Sequence, residues 1–181
     1  NSGIFFLHIL VRGTIRLETI DYFLRDIWLE CCGHLSGFGN TQGEIDMDEK
    51  VQNVFAPGLT IFHDYDYGTT TRVLLKALNN YQLNLKDSFE LLSRNEPLKH
   101  ICAICKKAPA VNLCSLCQYD DYSLFCESCS AEHTKVCSTF EEFSCLPVVN
   151  SPRMGECGYS GGNIDIERDG PYKKDVRYLL N

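Results

Sequence analysis

The sequence CAICKKAPAVNLCSLCQYDDYSLFCESCSAEHTKVC, residues 102–137, carries the strongest structural signal in this 181-residue chain. It contains three C-x-x-C pairs and then a histidine that is separated by three residues from a final cysteine. The turn within a C-x-x-C pair lets two sulfur atoms converge on one ion, and two such pairs complete a tetrahedral zinc shell with no open position. The sequence therefore predicts a module with two structural zinc ions. The predicted ligands are Cys102, Cys105, Cys114, Cys117, Cys126, Cys129, His133 and Cys137.

Two ways of sharing these four pairs between two ions are open, and the loop lengths distinguish them. If the first pair joins the third and the second joins the fourth, the intervening loops hold 20 and 15 residues. Both lengths are inside or at the edge of those typical of zinc sites. Sequential pairing would require closure over eight residues at one site and only three at the other. We therefore favour the interleaved, cross-braced arrangement, which resembles that of RING, B-box and MYND modules.

Eleven cysteines also raise two alternatives to zinc, a disulfide framework and an iron–sulfur cluster. An odd count and pairs at two-residue spacing suit metal binding better than disulfide bridges. The apolar run IFFLHILV, residues 4–11, is followed by Arg12 and an amphipathic pattern rather than by a small-residue cleavage site, so we predict no secretory signal. No apolar run approaches the length of a membrane-spanning helix. We expect a cytoplasmic protein without membrane attachment.

The segment that follows the cysteine pairs, residues 144–162, is rich in proline and glycine and is predicted to be a closing loop. It contains Cys145 and Cys157. Either cysteine is an alternative fourth ligand of the second zinc site, in place of His133 or Cys137. Cys157 is the stronger candidate of the two, because glycines flank its turn.

The N-terminal part predicts a strand followed by one main amphipathic helix. The apolar run FFLHILV, residues 5–11, is typical of a buried strand. Thr14 is placed to cap the following helix, and Gly33 is placed to end it in a left-handed conformation. The apolar residues that recur at helical spacing are Leu17, Ile20, Leu24 and Ile27.

Further strand signals complete a small antiparallel sheet, so we predict an α+β fold. A second strand is expected to begin at residues 34–38, followed by a polar connection over residues 40–50. A hairpin is expected between Leu59 and Leu78, with Gly68 at its turn. Residues 87–94 are predicted to form a short helix or the end of a strand.

Asn95, Glu96 and Pro97 mark a boundary in the chain. We predict an α+β domain over residues 1–97 and a zinc-binding module with its closing loop over residues 98–162. The remaining residues, 163–181, are expected to form a C-terminal tail that docks on the body.

His63, Asp64 and Asp66 suggest a metal-dependent hydrolase, but their spacing argues against a shared ion. In a strand, alternate side chains lie on opposite faces, so Asp64 and Asp66 share one face and His63 and Tyr65 share the other. We therefore predict a structural role for these residues near the turn.

Cys31, Cys32 and His34 suggest a thiol enzyme, with metal or redox chemistry as a further alternative. They lie at the predicted C-terminal end of a helix, where the helix dipole disfavours a thiolate. We therefore predict that Cys31 and Cys32 are buried structural cysteines, and we lean away from an enzyme.

The formal charge of −7 disfavours a nucleic-acid binder, since no basic stripe is present. Closed zinc shells on an acidic chain favour a non-enzymatic module whose partner is another protein. A nucleic-acid-associated protein of mobile-element origin is the alternative.

Three segments resemble the Ri-plasmid ORF-three-like family, in its zinc-bearing branch. They are residues 17–38, residues 62–78 and residues 146–161. The second segment contains Tyr65-Asp66-Tyr67-Gly68, which resembles the family's hairpin, and the third places Cys157 at the cysteine of the family's Gly-x-Cys-Gly-Tyr. Members usually continue the hairpin with an acidic residue and a tryptophan, where this chain has threonines at 69–71. The resemblance implies a compact α+β domain with a zinc module and implies no particular reaction.

Overall fold

The computed structural model describes residues 5–118 and 123–164, and these residues fall into two units. The first unit comprises residues 5–95 together with 162–164, and the second comprises residues 96–161. The predicted docking tail lies outside the described residues from position 165 onward.

The first unit combines one main helix with antiparallel strands, which confirms the predicted α+β class. One sheet has four strands in the order β3-β2-β4-β5, and β1 pairs separately with β6. The elements are β1 (Leu7–Val11), α1 (Leu17–Leu24) with a π-helical turn (Arg25–Leu29), β2 (Ser36–Asn40), β3 (Gly43–Ile45), α2 (Val51–Val54), β4 (Thr60–Tyr65), β5 (Thr71–Lys76) and β6 (Phe89–Arg94).

The core of this unit lies between the apolar face of α1 and the sheets. The predicted helical stripe is confirmed, because all four of its residues are at most 3% exposed. Phe23 contacts Phe89 of β6 with ring centroids 4.5 Å apart. Burial of this stripe, rather than intrinsic helix propensity, is the main source of stability for so short a helix. The buried residues of the core are Leu17, Ile20, Phe23, Leu24, Ile27, Trp28, Leu29, Phe38, Ile61, Tyr65 and Phe89.

Both predicted ends of the helix are wrong. The residue before the helix is Arg16 rather than Thr14, and no side chain caps the first turn. Instead, the N–H groups of Leu17 and Glu18 donate to the main-chain carbonyl oxygens of residues 49 and 47, at 2.9 Å each. At the other end, the π-helical turn stops at Leu29, so the left-handed Gly33 (φ +78°) belongs to the loop beyond it.

Strand β2 contains two glycines that allow aromatic rings to lie directly across it. A Cβ atom on Gly37 would meet the Tyr67 hydroxyl at 2.5 Å, and one on Gly39 would meet the Phe62 ring at 2.6 Å. The polar segment predicted as a connection, residues 40–50, contains the short strand β3, which pairs with β2 across a tight turn. The segment at residues 87–94 is a strand, β6.

The second unit has a three-stranded antiparallel sheet in the order β8-β7-β9 and one short helix. Its apolar core is small, and cysteines make up much of it. Small units of this kind usually need a metal or disulfides in addition to their core. The elements are β7 (Asn112–Cys114), β8 (Leu124–Phe125), α3 (Glu127–His133), a π-helical turn (Phe140–Ser144) and β9 (Cys145–Pro147).

Candidate metal centres

Four sulfur atoms converge in the first cluster, which we define as Cys102, Cys105, Cys126 and Cys129. All four Sγ atoms lie within 4.8 Å of one another, and Cys105 Sγ is 3.9 Å from Cys126 Sγ. Zinc–sulfur bonds of about 2.3 Å in a tetrahedron place two sulfurs about 3.8 Å apart. The spacing therefore fits a metal ion between the sulfurs, and it is far longer than the S–S bond of about 2.05 Å in a disulfide.

The backbone around Cys102 and Cys105 forms the tight turn that such a pair needs. Lys106 adopts a left-handed conformation (φ +56°), and its N–H donates to the carbonyl oxygen of Cys102 at 3.0 Å. The N–H of Cys102 in turn donates to the carbonyl oxygen of Ala108 at 2.9 Å. These bonds close the turn and bring both sulfurs to the same side.

The start of α3 presents the other two sulfurs. Cys126 is the residue before the helix, and its carbonyl oxygen accepts from the N–H of Ser130 at 2.9 Å. Cys129 lies in the first turn, where its side chain reaches the same cluster. The helix is fixed to the sheet by Asn112, whose side-chain amide donates to Ser130 Oγ at 2.9 Å.

The electrostatics of the first cluster favour a bound cation. Burial raises the pKa of the Cys102 thiol. Hydrogen bonds from the N–H groups of Cys126, Cys105 and Ile104 lower it by a larger amount together, so the net pKa is about 6. Burial and then the neighbouring sulfurs of Cys102 and Cys126 raise the pKa of Cys129 to about 12. Without a metal, the Cys129 thiol therefore keeps its proton at neutral pH beside the Cys102 thiolate, and a dication would release that proton because metal-bound thiols are deprotonated.

The second cluster is formed by Cys114, Cys117, His133 and Cys137, whose ligand atoms lie within 4.8 Å of one another. Cys114 Sγ is 4.0 Å from Cys137 Sγ, and Cys117 Sγ is 3.8 Å from His133 Nε2. Tetrahedral zinc places a sulfur and a nitrogen ligand about 3.5 Å apart. This cluster thus fits a metal with three sulfur ligands and one nitrogen ligand.

Aromatic packing fixes the imidazole of His133. The Phe125 ring stacks on it with centroids 4.3 Å apart, and the Phe140 ring meets it edge-on at 4.8 Å. Nearby, burial raises the pKa of Cys114, but the Ser144 hydroxyl and then His133 lower it, to a net value of about 6. Burial and then Cys114 raise the pKa of Cys117 to about 11. As in the first cluster, the fully ionised ligand set requires a cation.

The two clusters confirm the interleaved pairing of the cysteine couples. The first pair joins the third, and the second pair joins His133 and Cys137. Neither Cys145 nor Cys157 belongs to either of these two clusters. Cys145 lies in β9 opposite Cys114, and Cys157 is exposed in a turn with φ +45°. The second cluster thus has its four ligands without the predicted substitute, Cys157.

A third group of ligand atoms lies in the first unit. The sequence predicted only two metal sites for the whole chain. Cys31, Cys32 and His34 have their ligand atoms within 4.8 Å of one another. The prediction that both cysteines are buried is wrong, because Cys31 is half-buried and Cys32 is exposed. The pattern Cys-Cys-x-His is visible in the sequence, but its position after a helix directed the interpretation toward a structural role.

His63, Asp64 and Asp66 do not converge, as the alternation along β4 predicts. His63 Nε2 lies 2.6 Å from Asp21 Oδ1 in the core, whereas Asp64 forms a bidentate ion pair with Arg72 at 2.6 Å. Among the described residues, these three side chains form no common ligand group.

The helices within residues 5–118 and 123–164 include none with the length and apolar character needed to cross a membrane. Comparison with protein-family models, with curated proteins and with solved structures gave no match to this chain. The resemblance to the Ri-plasmid family stays a prediction.

Proposed function

We propose that this chain is a zinc-braced, non-enzymatic module that binds another protein. The observation that carries the proposal is the closure of the two clusters in the second unit, each of which offers four protein ligand atoms. Catalytic zinc sites keep one position for water or substrate, whereas structural sites have four protein ligands. Both metals would therefore serve to hold the fold.

Zinc is the metal that the donor atoms favour. One cluster offers four sulfurs and the other offers three sulfurs and one imidazole nitrogen, both at tetrahedral spacing. Tetrahedral sets of sulfur and nitrogen ligands are typical of structural zinc.

The candidate binding surface lies on segments that the second cluster holds in place. Leu116 lies between the ligands Cys114 and Cys117, and Val136 directly precedes the ligand Cys137. Phe143 lies in the π-helical turn that follows Cys137. Their side chains are 64%, 81% and 79% exposed. Apolar side chains on a rigid support are suited to contact a protein partner, because little conformational entropy is lost on binding.

The charge around this surface indicates the kind of partner. Glu141 and Glu142 precede Phe143 and are exposed, and the chain as a whole carries a formal charge of −7. We therefore expect a partner segment that combines apolar with basic residues. The same charge would repel the phosphates of a nucleic acid, whose binding depends on neutralising them.

The test compares protein capture by three versions of the full chain from nuclease-treated lysate of the source cell. The variant Leu116→Ser/Val136→Ser/Phe143→Ser removes the surface, and Leu35→Ser/Leu74→Ser/Leu83→Ser is the matched control on exposed residues of the first unit. Captured proteins are then purified and titrated by calorimetry.

We expect one protein that binds the wild type and the control alike and binds the surface variant at least about tenfold more weakly. Equal binding to all three versions, or no stoichiometric complex with the wild type, would contradict the proposal. A complex that is captured only from a parallel lysate without nuclease treatment would instead favour the nucleic-acid alternative.

A further inference from the structure

We propose that Cys31, Cys32 and His34 form a third zinc site, in the first unit of the chain. This site is independent of the two structural clusters and of the protein-binding role proposed above. It is chemically distinct from them, because its ligands come from one short loop and are accessible to solvent.

The distances among the three ligand atoms fit a tetrahedral metal. Cys31 Sγ lies 3.8 Å from Cys32 Sγ, and Cys32 Sγ lies 3.1 Å from His34 Nε2. A tetrahedral zinc ion places two sulfurs about 3.8 Å apart and a sulfur and a nitrogen about 3.5 Å apart. The sulfur–sulfur distance equals the ideal value, and the sulfur–nitrogen pair needs only a small outward movement.

The loop that carries these ligands is held by specific contacts. The N–H of Cys31 donates to the Tyr65 hydroxyl at 3.2 Å, and the N–H of Gly33 donates to Glu30 Oε1. Gly33 has φ +78°, a conformation that glycine adopts at little cost. It reverses the chain between Cys32 and His34, so that both side chains face the same point.

The imidazole of His34 is oriented by Tyr65, the last residue of β4, and by Asp66, which follows it. Its ring meets Tyr65 edge-on, with centroids 5.8 Å apart, and Asp66 Oδ2 lies 3.5 Å from Nε2. Asp66 is only 5% exposed, so its carboxylate is held in place. Nε2 is also the atom that faces Cys32 Sγ, so the carboxylate lies beside the ligating nitrogen itself. Its negative charge there favours a bound cation.

Exposure distinguishes this site from the two closed clusters. Cys32 is exposed, and Cys31 and His34 are half-buried, whereas Cys102 and Cys114 are fully buried. A chelator can reach the third metal without opening a core. We therefore expect this zinc to exchange faster than the other two, which makes the first unit responsive to the available zinc.

The test measures zinc per chain by elemental analysis on the full-length protein, together with release kinetics into a chromogenic chelator. The wild type should contain three zinc ions, one for each cluster, with one released in a fast phase. Cys32→Ser/His34→Ala should lose one zinc and the fast phase while keeping the two slow ones. Cys145→Ser is the matched control, because Cys145 belongs to none of the three clusters, and it should keep all three.

A second readout keeps the test decisive if the double variant does not fold. Cobalt(II) is added to zinc-depleted wild type and to His34→Asn, and sulfur-to-cobalt charge-transfer absorption is recorded. A third equivalent of absorbing cobalt in the wild type, absent in His34→Asn, supports the site. Only two zinc ions in the wild type, or the same zinc content in the double variant, would overturn it. A disulfide between Cys31 and Cys32 in freshly purified protein, detected as a mass lower by two hydrogens, would also overturn it.

Discussion

Cys129 and His133 lie one helical turn apart on α3, yet each supplies its ligand atom to a different cluster. Cys129, in the first turn, faces the first cluster, and His133, at the last residue, faces the second. The helix has only seven residues, which is too short to be stable in isolation. Its geometry therefore depends on both clusters at once, and each cluster depends on the helix that the other one anchors.

Loss of one zinc should weaken the binding of the other. Cys105→Ser removes a ligand of the first cluster that lies outside α3, and we expect the zinc of the second cluster to bind at least about fivefold more weakly. The reason is that α3 loses one of its two anchors. Competition with a fluorescent chelator of known affinity measures this change. Cys145→Ser should leave both affinities unchanged, and unaltered binding at the second cluster in Cys105→Ser would show that the clusters are independent.

Asp66 should strengthen the proposed third zinc site without ligating the metal. Asp66→Asn removes the charge beside His34 but keeps an oxygen for the N–H of Gly68, which donates to Asp66 Oδ1 at 2.9 Å. Asparagine also tolerates the left-handed conformation that Asp66 adopts (φ +65°). We expect zinc affinity at this site to fall by at least about tenfold, because the negative charge beside the cation is lost, and chelator competition measures the change. An equal affinity in both proteins would limit Asp66 to a structural role.

The buried contact between His63 and Asp21 should be important for stability. His63 is fully buried, and Asp21 also accepts from the Ser36 hydroxyl at 2.6 Å. Asp21→Ala leaves the buried His63 and the half-buried Ser36 without this acceptor, so we expect the free energy of unfolding to fall by about 1–3 kcal/mol. Urea unfolding measures the change.

Asp48→Ala is the matched control for that experiment. Asp48 also pairs with a basic side chain, Arg16, at 2.8 Å, but both are largely exposed. Its loss should cost less than about 1 kcal/mol. Similar costs for the two variants would mean that the buried contact has no special role.

Glu30 should make the stability of the first unit depend on pH. Burial raises the pKa of Glu30. The N–H of Gly33 and then the Arg25 guanidinium together lower it by a larger amount, so the net pKa lies below the ordinary 4.5. When the pKa of a carboxyl group is lower in the folded state than in the unfolded state, the ionised group stabilises the fold. This stabilisation is complete at pH values above the unfolded pKa, and it is lost as the pH falls through the folded pKa. We therefore expect wild type to be more stable than Glu30→Gln at pH 6.

The difference in unfolding free energy between these two proteins should shrink steadily below pH 4.5. Urea titrations at matched pH measure it. A difference that stays constant down to pH 3 would show that Glu30 is not ionised in a stabilising contact.

Gly162 should not tolerate a side chain. A Cβ atom there would lie 2.4 Å from the carbonyl oxygen of Ile27. The next residues continue this close approach, since the N–H of Ile164 donates to the carbonyl oxygen of Asp26 at 3.1 Å. We expect Gly162→Ala to destabilise the first unit by about 1–3 kcal/mol, with a lower Tm in thermal unfolding. Gly68→Ala, whose Cβ would meet only a side-chain oxygen at 3.3 Å, should change the Tm little.

The parts of the structure that the sequence predicted correctly follow from local pattern or from spacing. The apolar stripe of α1 repeats at helical intervals, so its buried face is legible without knowledge of the sheet. The interleaved clusters were predictable because a three-residue loop between Cys129 and His133 is too short to close a separate site. The separation of His63 from Asp64 was predictable because successive side chains of a strand such as β4 lie on opposite faces.

The wrong predictions concern the start of α1 and the burial of Cys32, which depend on contacts and turns outside the local pattern. Thr14 has the right side chain for a cap, but the carbonyl oxygens of Met47 and Glu49 already satisfy the first turn of α1. Neither contact leaves a signal near Thr14. The exposure of Cys32 likewise depends on how the loop after the helix turns at Gly33, and helical periodicity does not extend into that loop.

The cross-braced clusters become complete in a fixed order while the ribosome synthesises the chain. The first cluster cannot close until Cys129 has emerged, and the second cannot close until Cys137 has emerged. At about 5–20 residues per second, the 35 positions from Cys102 to Cys137 take roughly two to seven seconds. During that interval the nascent chain presents incomplete thiol pairs to every metal and oxidant nearby. Correct loading with zinc is therefore a matter of timing as well as of affinity.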